Sequence, residues 1–160
     1  MAGTPYSDVF TYFLGRLENS NYVNMDDDDI LIDEILLLNI AIDNFEYPKI
    51  SLTKSDTTAL FTNTLTNSEI QIIALLMVVE WVKRQINNIN LIKQNISTKD
   101  FKMTSQAEHL KNLLLLKTEI ESEVEIKKTK YSYKSGNVAN FSGLSGGSTT
   151  STTTDTTGDE

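Results

Sequence analysis

The stretch Thr66–Val82, TNSEIQIIALLMVVEWV, decides how this 160-residue chain is built. It opens on Thr66-Asn67-Ser68-Glu69, a capping box in which a hydroxyl and a carboxylate three residues apart satisfy each other's backbone amides at a helix start. From Ile70 to Val82 only Gln71 and Glu80 are not apolar. A helix that is apolar on nearly all sides belongs inside a core, so this segment predicts a buried central helix. From Lys83 onward the pattern thins to Ile86, Ile89, Ile92 and Ile96, a single stripe. The same helix is therefore expected to continue as a more exposed half that leaves the core or lays one face on a partner.

Downstream, Ser97-Thr98-Lys99-Asp100 breaks the pattern, and Ser105-Gln106-Ala107-Glu108 repeats the capping box. Ala107, Leu110, Leu113, Leu114, Ile120 and Val124 then trace a helix to about Lys130. Two long helices joined by roughly eight residues predict an antiparallel hairpin, with Phe101 and Met103 in the connection at its tip.

Upstream, Tyr6, Phe10, Phe13, Leu14 and Leu17 share one helical face. They predict a short helix from about residue 7 to residue 18, with Ser7 as N-cap, Asp8 in the favourable first turn, and Asn19-Ser20-Asn21 ending it. Asp26, Asp27, Asp28 and Asp29 then suit the positive end of a second helix. Leu31, Ile35, Leu38, Ile42 and Phe45 recur along it at helical spacing. Pro48 is expected to end it by pushing Tyr47 out of the helical region. Lys49–Leu52 is β-prone and reads either as a hairpin strand or as a packed loop. Ser55–Leu65 is ambiguous: its threonines lower helix propensity, while Asp56, Leu60 and Phe61 allow a short helix. The expected fold is all-α, a helix bundle with a long antiparallel hairpin and room for one small β element, spanning residues 1–134.

Residues 135–160, SGNVANFSGLSGGSTTSTTTDTTGDE, form an extended tail of another character. This tract cannot bury enough apolar surface to offset the entropy of ordering itself. It reads either as a linker or as an arm held by a neighbour through the spaced apolar anchors Val138, Phe141 and Leu144. Beyond Leu144 it has no anchor of its own.

Bulk composition narrows the function. The 22 acidic against 14 basic residues leave a net charge of −8, which disfavours a generally nucleic-acid-binding surface and an anionic membrane surface. With no cysteine there are no disulfides, thiolate nucleophiles or cysteine-ligated zinc. The start, MAGTPYSDVF, shows no signal-peptide pattern, and the longest apolar block, Ile72–Val79, falls far short of the about 20 residues a spanning helix needs. No membrane association is expected.

The candidate chemical sites are sparse. Asp26–Asp29 lacks the alternation, the central glycine and the distal glutamate of an EF-hand, and reads first as a solvated helix start. His109, the single histidine, has no partner at a triad or metal spacing, and Ser105 is explained as a cap. No phosphate-loop, dinucleotide, nucleophile-elbow or zinc-protease motif occurs. No catalytic residue, cofactor or metal site is expected. Trp81 reads as a core filler. Lys127, Lys128, Lys130 and Lys134 interleave with Tyr131 and Tyr133. This patch is either cations at the negative end of the last helix, or a docking surface for an acidic protein or nucleic acid.

One resemblance adds to this. Met77-x-x-x-Trp81 with Lys83-Arg84-Gln85-Ile86, then Asp100-Phe101-Lys102-Met103-Thr104-Ser105-Gln106-Ala107, Leu110-x-x-Leu113 and Tyr131-Ser132-Tyr133, resembles the small neck proteins of tailed bacteriophages, the head-to-tail connector or adaptor group. The match runs from Glu69 to Tyr133. The resemblance implies a structural virion protein, assembled in the host cytoplasm into a homo-oligomeric, usually dodecameric, ring beneath the portal. Extended arms would clip onto the portal or the next neck or tail protein, and DNA would pass through the lumen without specific binding. On that view Asp26–Asp29 faces the lumen, where like charge lets DNA slide. Docking would fall to Phe101, Met103, the Lys127–Tyr133 patch, Val138, Phe141 and Leu144. The alternatives are a DNA-packaging component such as a small terminase subunit, and a small helical enzyme or regulatory domain.

Overall fold

A computed structural model describes residues 3–17, 26–95 and 103–134, and their side chains except at 92–95 and 103–106. Its elements are α1 (Tyr6–Leu14), α2 (Asp27–Asp43), β1 (Lys54–Ser55), β2 (Leu60–Phe61), α3 (Asn67–Asn95) and α4 (Met103–Tyr133). The protein is mostly helical, with one small two-stranded sheet.

α3 is the axis on which α1, α2 and α4 all pack. Its first half is buried without a break from Ile72 to Val79 and again at Trp81 and Val82. The capping box forms as expected: the Thr66 amide donates to Glu69 Oε2 at 2.7 Å, and the Glu69 amide to Thr66 Oγ1 at 3.4 Å. Ile86 and Ile89 carry the stripe onward as half-buried residues against the core.

α4 runs back along α3. Its end meets the start of α3, where the Tyr131 hydroxyl donates to Glu69 Oε1 at 2.6 Å and Lys127 Nζ to Gln71 Oε1 at 2.9 Å. Leu113, Ile120, Val124 and Tyr131 are buried, with Leu110 half-buried before them and Lys117 and Lys127 half-buried between them. That alternation of three and four residues is the seam of a coiled-coil-like pair. Leu114, in the expected stripe, is instead 47% exposed, because consecutive residues lie about 100° apart and Leu113 takes the seam. α4 also begins earlier than expected. Met103 is its first residue rather than part of the connection, and Ser105 sits in the first turn rather than at the cap. A hydroxyl residue is tolerated there because first-turn amides lack intrahelical acceptors anyway.

α1 starts at Tyr6 behind an N-cap at Pro5, so Ser7 is inside the helix and caps nothing. The start is set from outside the helix. The Phe61 amide donates to Thr4 O at 2.8 Å and the Tyr6 amide to Ala59 O at 3.0 Å, which lays residues 4–6 along β2. Proline, with φ preset, closes this extended stretch. Gly3 is required by the same approach: a Cβ there would lie 1.6 Å from the Phe61 carbonyl oxygen. α1 ends at Leu14, so Leu17 follows it in a turn, half-buried against the core.

α2 is capped by Asp26, whose carboxylate accepts from the Asp27 amide at 2.9 Å. It buries Leu38 with Ile35 and Ile42 half-buried against the core, as the expected stripe requires, and adds Glu34, Leu37 and Ala41 beside it; of that stripe only Leu31 is exposed, at 45%. The helix stops at Asp43, five residues before Pro48. Asn44 takes the C-cap and donates from its side chain to Glu80 at 3.2 Å, and Phe45 turns into the core. Tyr47 does avoid the right-handed helical region before Pro48, but by adopting φ 57 in the left-handed one.

Lys49–Leu52 is a packed loop, tied by Asn63 Nδ2 to Ser51 O. The β element lies just beyond it, where Lys54 pairs with Phe61 and Ser55 with Leu60. The short helix allowed over Ser55–Leu65 is absent. The Tyr6 hydroxyl donates to Asp56 Oδ1 at 2.8 Å across the turn, and Ala59 holds φ 50 to close it. The Tyr6 ring stacks edge-on against Phe61 and Phe10.

Candidate assembly surface

The C-terminal end of α4 divides the basic-aromatic patch into inward and outward groups. Tyr131 faces inward. It is 8% exposed, accepts from the Lys49 amide at 2.9 Å and donates to Glu69. Burial and the Glu69 carboxylate hold its hydroxyl up at about 12. Lys49 also lies over the Tyr131 ring and bonds the Tyr131 carbonyl. This network ties the α3 cap, the loop after α2 and the end of α4 together.

Lys127, Lys130 and Lys134 lie on one side of α4 and, with Ser68 and Gln71 of α3, line a small cleft. Lys127 is bonded to Gln71 and stands 4.0 Å from Glu123, which itself takes Arg16 in a two-pronged pair at 2.9 and 3.2 Å. Lys128 pairs with Glu125 at 3.3 Å. Lys130 and Lys134 are exposed, with no acidic partner among the described residues. Tyr133 projects outward, 76% exposed. It borders a second cleft with Phe45, Tyr47 and Lys49.

The other expected site residues fall apart from this patch. Asp26 is the α2 cap, and Asp27, Asp28 and Asp29 are exposed in the first turn. Met103 heads α4, at the opposite end of the hairpin from Tyr133. Phe101, Val138, Phe141 and Leu144 lie outside the described residues. Trp81 is core, 9% exposed, and borders a cleft with His109 and Arg16. Among the described residues no group of three or more His, Asp or Glu is placed to hold a metal, and no helix is long and apolar enough to cross a membrane.

The residue of most unusual chemistry is Glu34, on the buried face of α2. It is 5% exposed and its Oε1 has no hydrogen-bond partner. Burial, with Asp33 adding repulsion, raises its carboxyl to about 7. It borders none of the clefts described above.

Beyond the buried stripes, α2 and α4 carry apolar side chains on their outward faces. Ile32, Leu36 and Ile40 are 59%, 52% and 41% exposed along the solvent side of α2. Leu115 and Ile126 are 60% and 52% exposed on α4. The signal was present: Ile30–Ile42 is apolar on more sides than a single buried face requires. The chain matches no protein-family model, no curated protein and no solved structure.

Proposed function

We propose that this protein is a structural, ring-forming adaptor of a tailed-phage neck, joining the portal to the next neck or tail protein while DNA passes through its lumen. The observation that carries the reading is the exposure of large apolar side chains on the outer faces of both α2 and α4. Large apolar side chains left exposed in number on a small helical core mark a protein that works in an assembly. The stretch that resembles neck proteins, Glu69–Tyr133, coincides with the α3–α4 hairpin, the scaffold that carries the α4 face. In this reading Asp26–Asp29 lines the lumen, and the 135–160 tail docks on the portal or a neighbouring ring through Val138, Phe141 and Leu144.

The test is the mass of the purified full-length protein by native mass spectrometry, with electron microscopy of the particles it forms. A closed ring of uniform subunit number is expected, and a strictly monomeric protein at high concentration refutes the reading. The unpaired Lys130 and Lys134 favour one second reading, a DNA-packaging component that binds phosphates. Duplex retention on a filter at low salt, lost in Lys130→Gln/Lys134→Gln, would select it over the adaptor.

A further inference from the structure

Three residues on α2 and three on α4 form outward rows of matched length. Ile32, Leu36 and Ile40 recur every fourth residue on the side of α2 opposite its buried face. At 1.5 Å per residue the row is about 12 Å long. Ile126, Lys130 and Tyr133 form a row of about 10 Å on the outer side of α4, all three exposed, with Lys130 and Tyr133 also bordering the two clefts at its end.

Their charges are opposite. From Asp26 to Glu46 the chain has eight acids and neither lysine nor arginine. Asp29 and Asp43, both exposed, sit one turn before and one turn after the α2 row. The α4 row has Lys130 at its middle and Lys134 just beyond Tyr133. Pairing α2 with α2 sets Asp29 and Asp43 against like charge. Pairing α2 with α4 sets the apolar α2 row on Ile126 and Tyr133 and places acids near the unpaired Lys130 and Lys134.

We infer that the Ile32–Leu36–Ile40 face of one copy seats on the Ile126–Lys130–Tyr133 face of the next. The occupant of each face is therefore a second copy of this chain, in a head-to-tail contact. Repeating a contact between two different faces generates a ring when the rotation closes and a filament when it does not. The inference rests on the ring reading above and names the surfaces that build the ring.

The test uses the full-length chain with Leu36→Asp and Ile126→Asp made separately. Both positions are exposed, and circular dichroism with a melting curve verifies folding. Lys130→Glu serves as a second α4-face variant should Ile126→Asp fail to fold. Each variant alone is expected to be monomeric by mass photometry. Mixing the two should give a 1:1 dimer and nothing larger, because each retains one intact face and the faces are complementary. Assembly of either variant like the wild type, failure of the mixture to dimerise, or loss of assembly in Leu36→Asp alone would overturn the inference. If the wild type forms closed rings that both variants still form, the interface is wrong and the ring reading survives. If the wild type forms open filaments that both variants abolish, the interface is right and the ring reading falls. A monomeric wild type overturns both.

Discussion

Replacing Glu34 by glutamine should make the protein more stable, and increasingly so as pH rises. Glu34 is 5% exposed with an unpartnered Oε1, and its carboxyl is raised from an ordinary 4.5 to about 7. Between those values the folded state keeps a proton that the unfolded state has released. Stability from this group is therefore present below about 4.5 and is lost as pH climbs through about 7. Linkage at about 1.4 kcal/mol per pH unit puts the penalty at about 1 kcal/mol at pH 5 and about 3 kcal/mol at pH 8. Glutamine keeps the shape without ionising, so it removes the pH-dependent part. The assay is urea unfolding followed by Trp81 fluorescence at pH 5, 6, 7 and 8, at one fixed protein concentration because assembly shifts apparent stability. The difference between Glu34→Gln and wild type should grow by about 2 kcal/mol over this range. Subtraction cancels the other carboxylates, including exposed Asp56, which Lys54 and then Tyr6 hold below its usual value. A difference that stays flat with pH would show that Glu34 is ionised and solvated in the native protein, and would refute the reasoning.

Three further outcomes are expected. Tyr131→Phe leaves Glu69 Oε1 and the Lys49 amide without their hydroxyl partner, and should cost about 1–3 kcal/mol in denaturant unfolding with helicity unchanged. Gly3→Ala should lower the melting temperature, because the new methyl meets the backbone at Phe61, which has no rotamer to yield. The same substitution at Gly15, where the nearest atom is 3.2 Å away, should be far milder. Deleting Ser135–Glu160 should leave far-UV circular dichroism per folded domain and the unfolding midpoint unchanged while abolishing incorporation into particles. Normal incorporation would remove the tail from the proposed function.

The helices themselves were legible in the sequence wherever one local rule spoke alone. Thr66 and Glu69 announce the start of α3 through a bond pattern that closes within four residues. Ile70–Val82 is apolar enough that only a core can hold it. Rules that required a choice of face held for most of each stripe, with Leu38 and Phe45 buried in the α2 segment and Leu113, Ile120 and Val124 in α4, and slipped at the edges, where Leu31 and Leu114 are exposed because both helices are apolar on more than one side. Helix ends failed for a related reason. Ser7 looks like a cap and Pro48 like a stop, but α1 starts where Thr4 and Tyr6 bond to β2, and α2 ends where Asn44 reaches Glu80. These partners are more than thirty residues away in the chain.

Among the candidate assembly residues, the sequence marked the Lys127–Tyr133 patch as a unit, and the fold divides it. Tyr131 is drawn in by Glu69 and Lys49, whereas Lys130 and Tyr133 remain outside. Sequence alone determined that the chain is helical, acidic and built around α3, because composition, capping and periodicity act within one or two turns. Only the tertiary structure decided that the buried face of α2 extends to Leu37 and Ala41, that Leu113 rather than Leu114 takes the α4 seam, where the small sheet forms, and that Glu34 is enclosed. Those outcomes depend on which surfaces α3 leaves free to be covered, and that is set by packing at a distance.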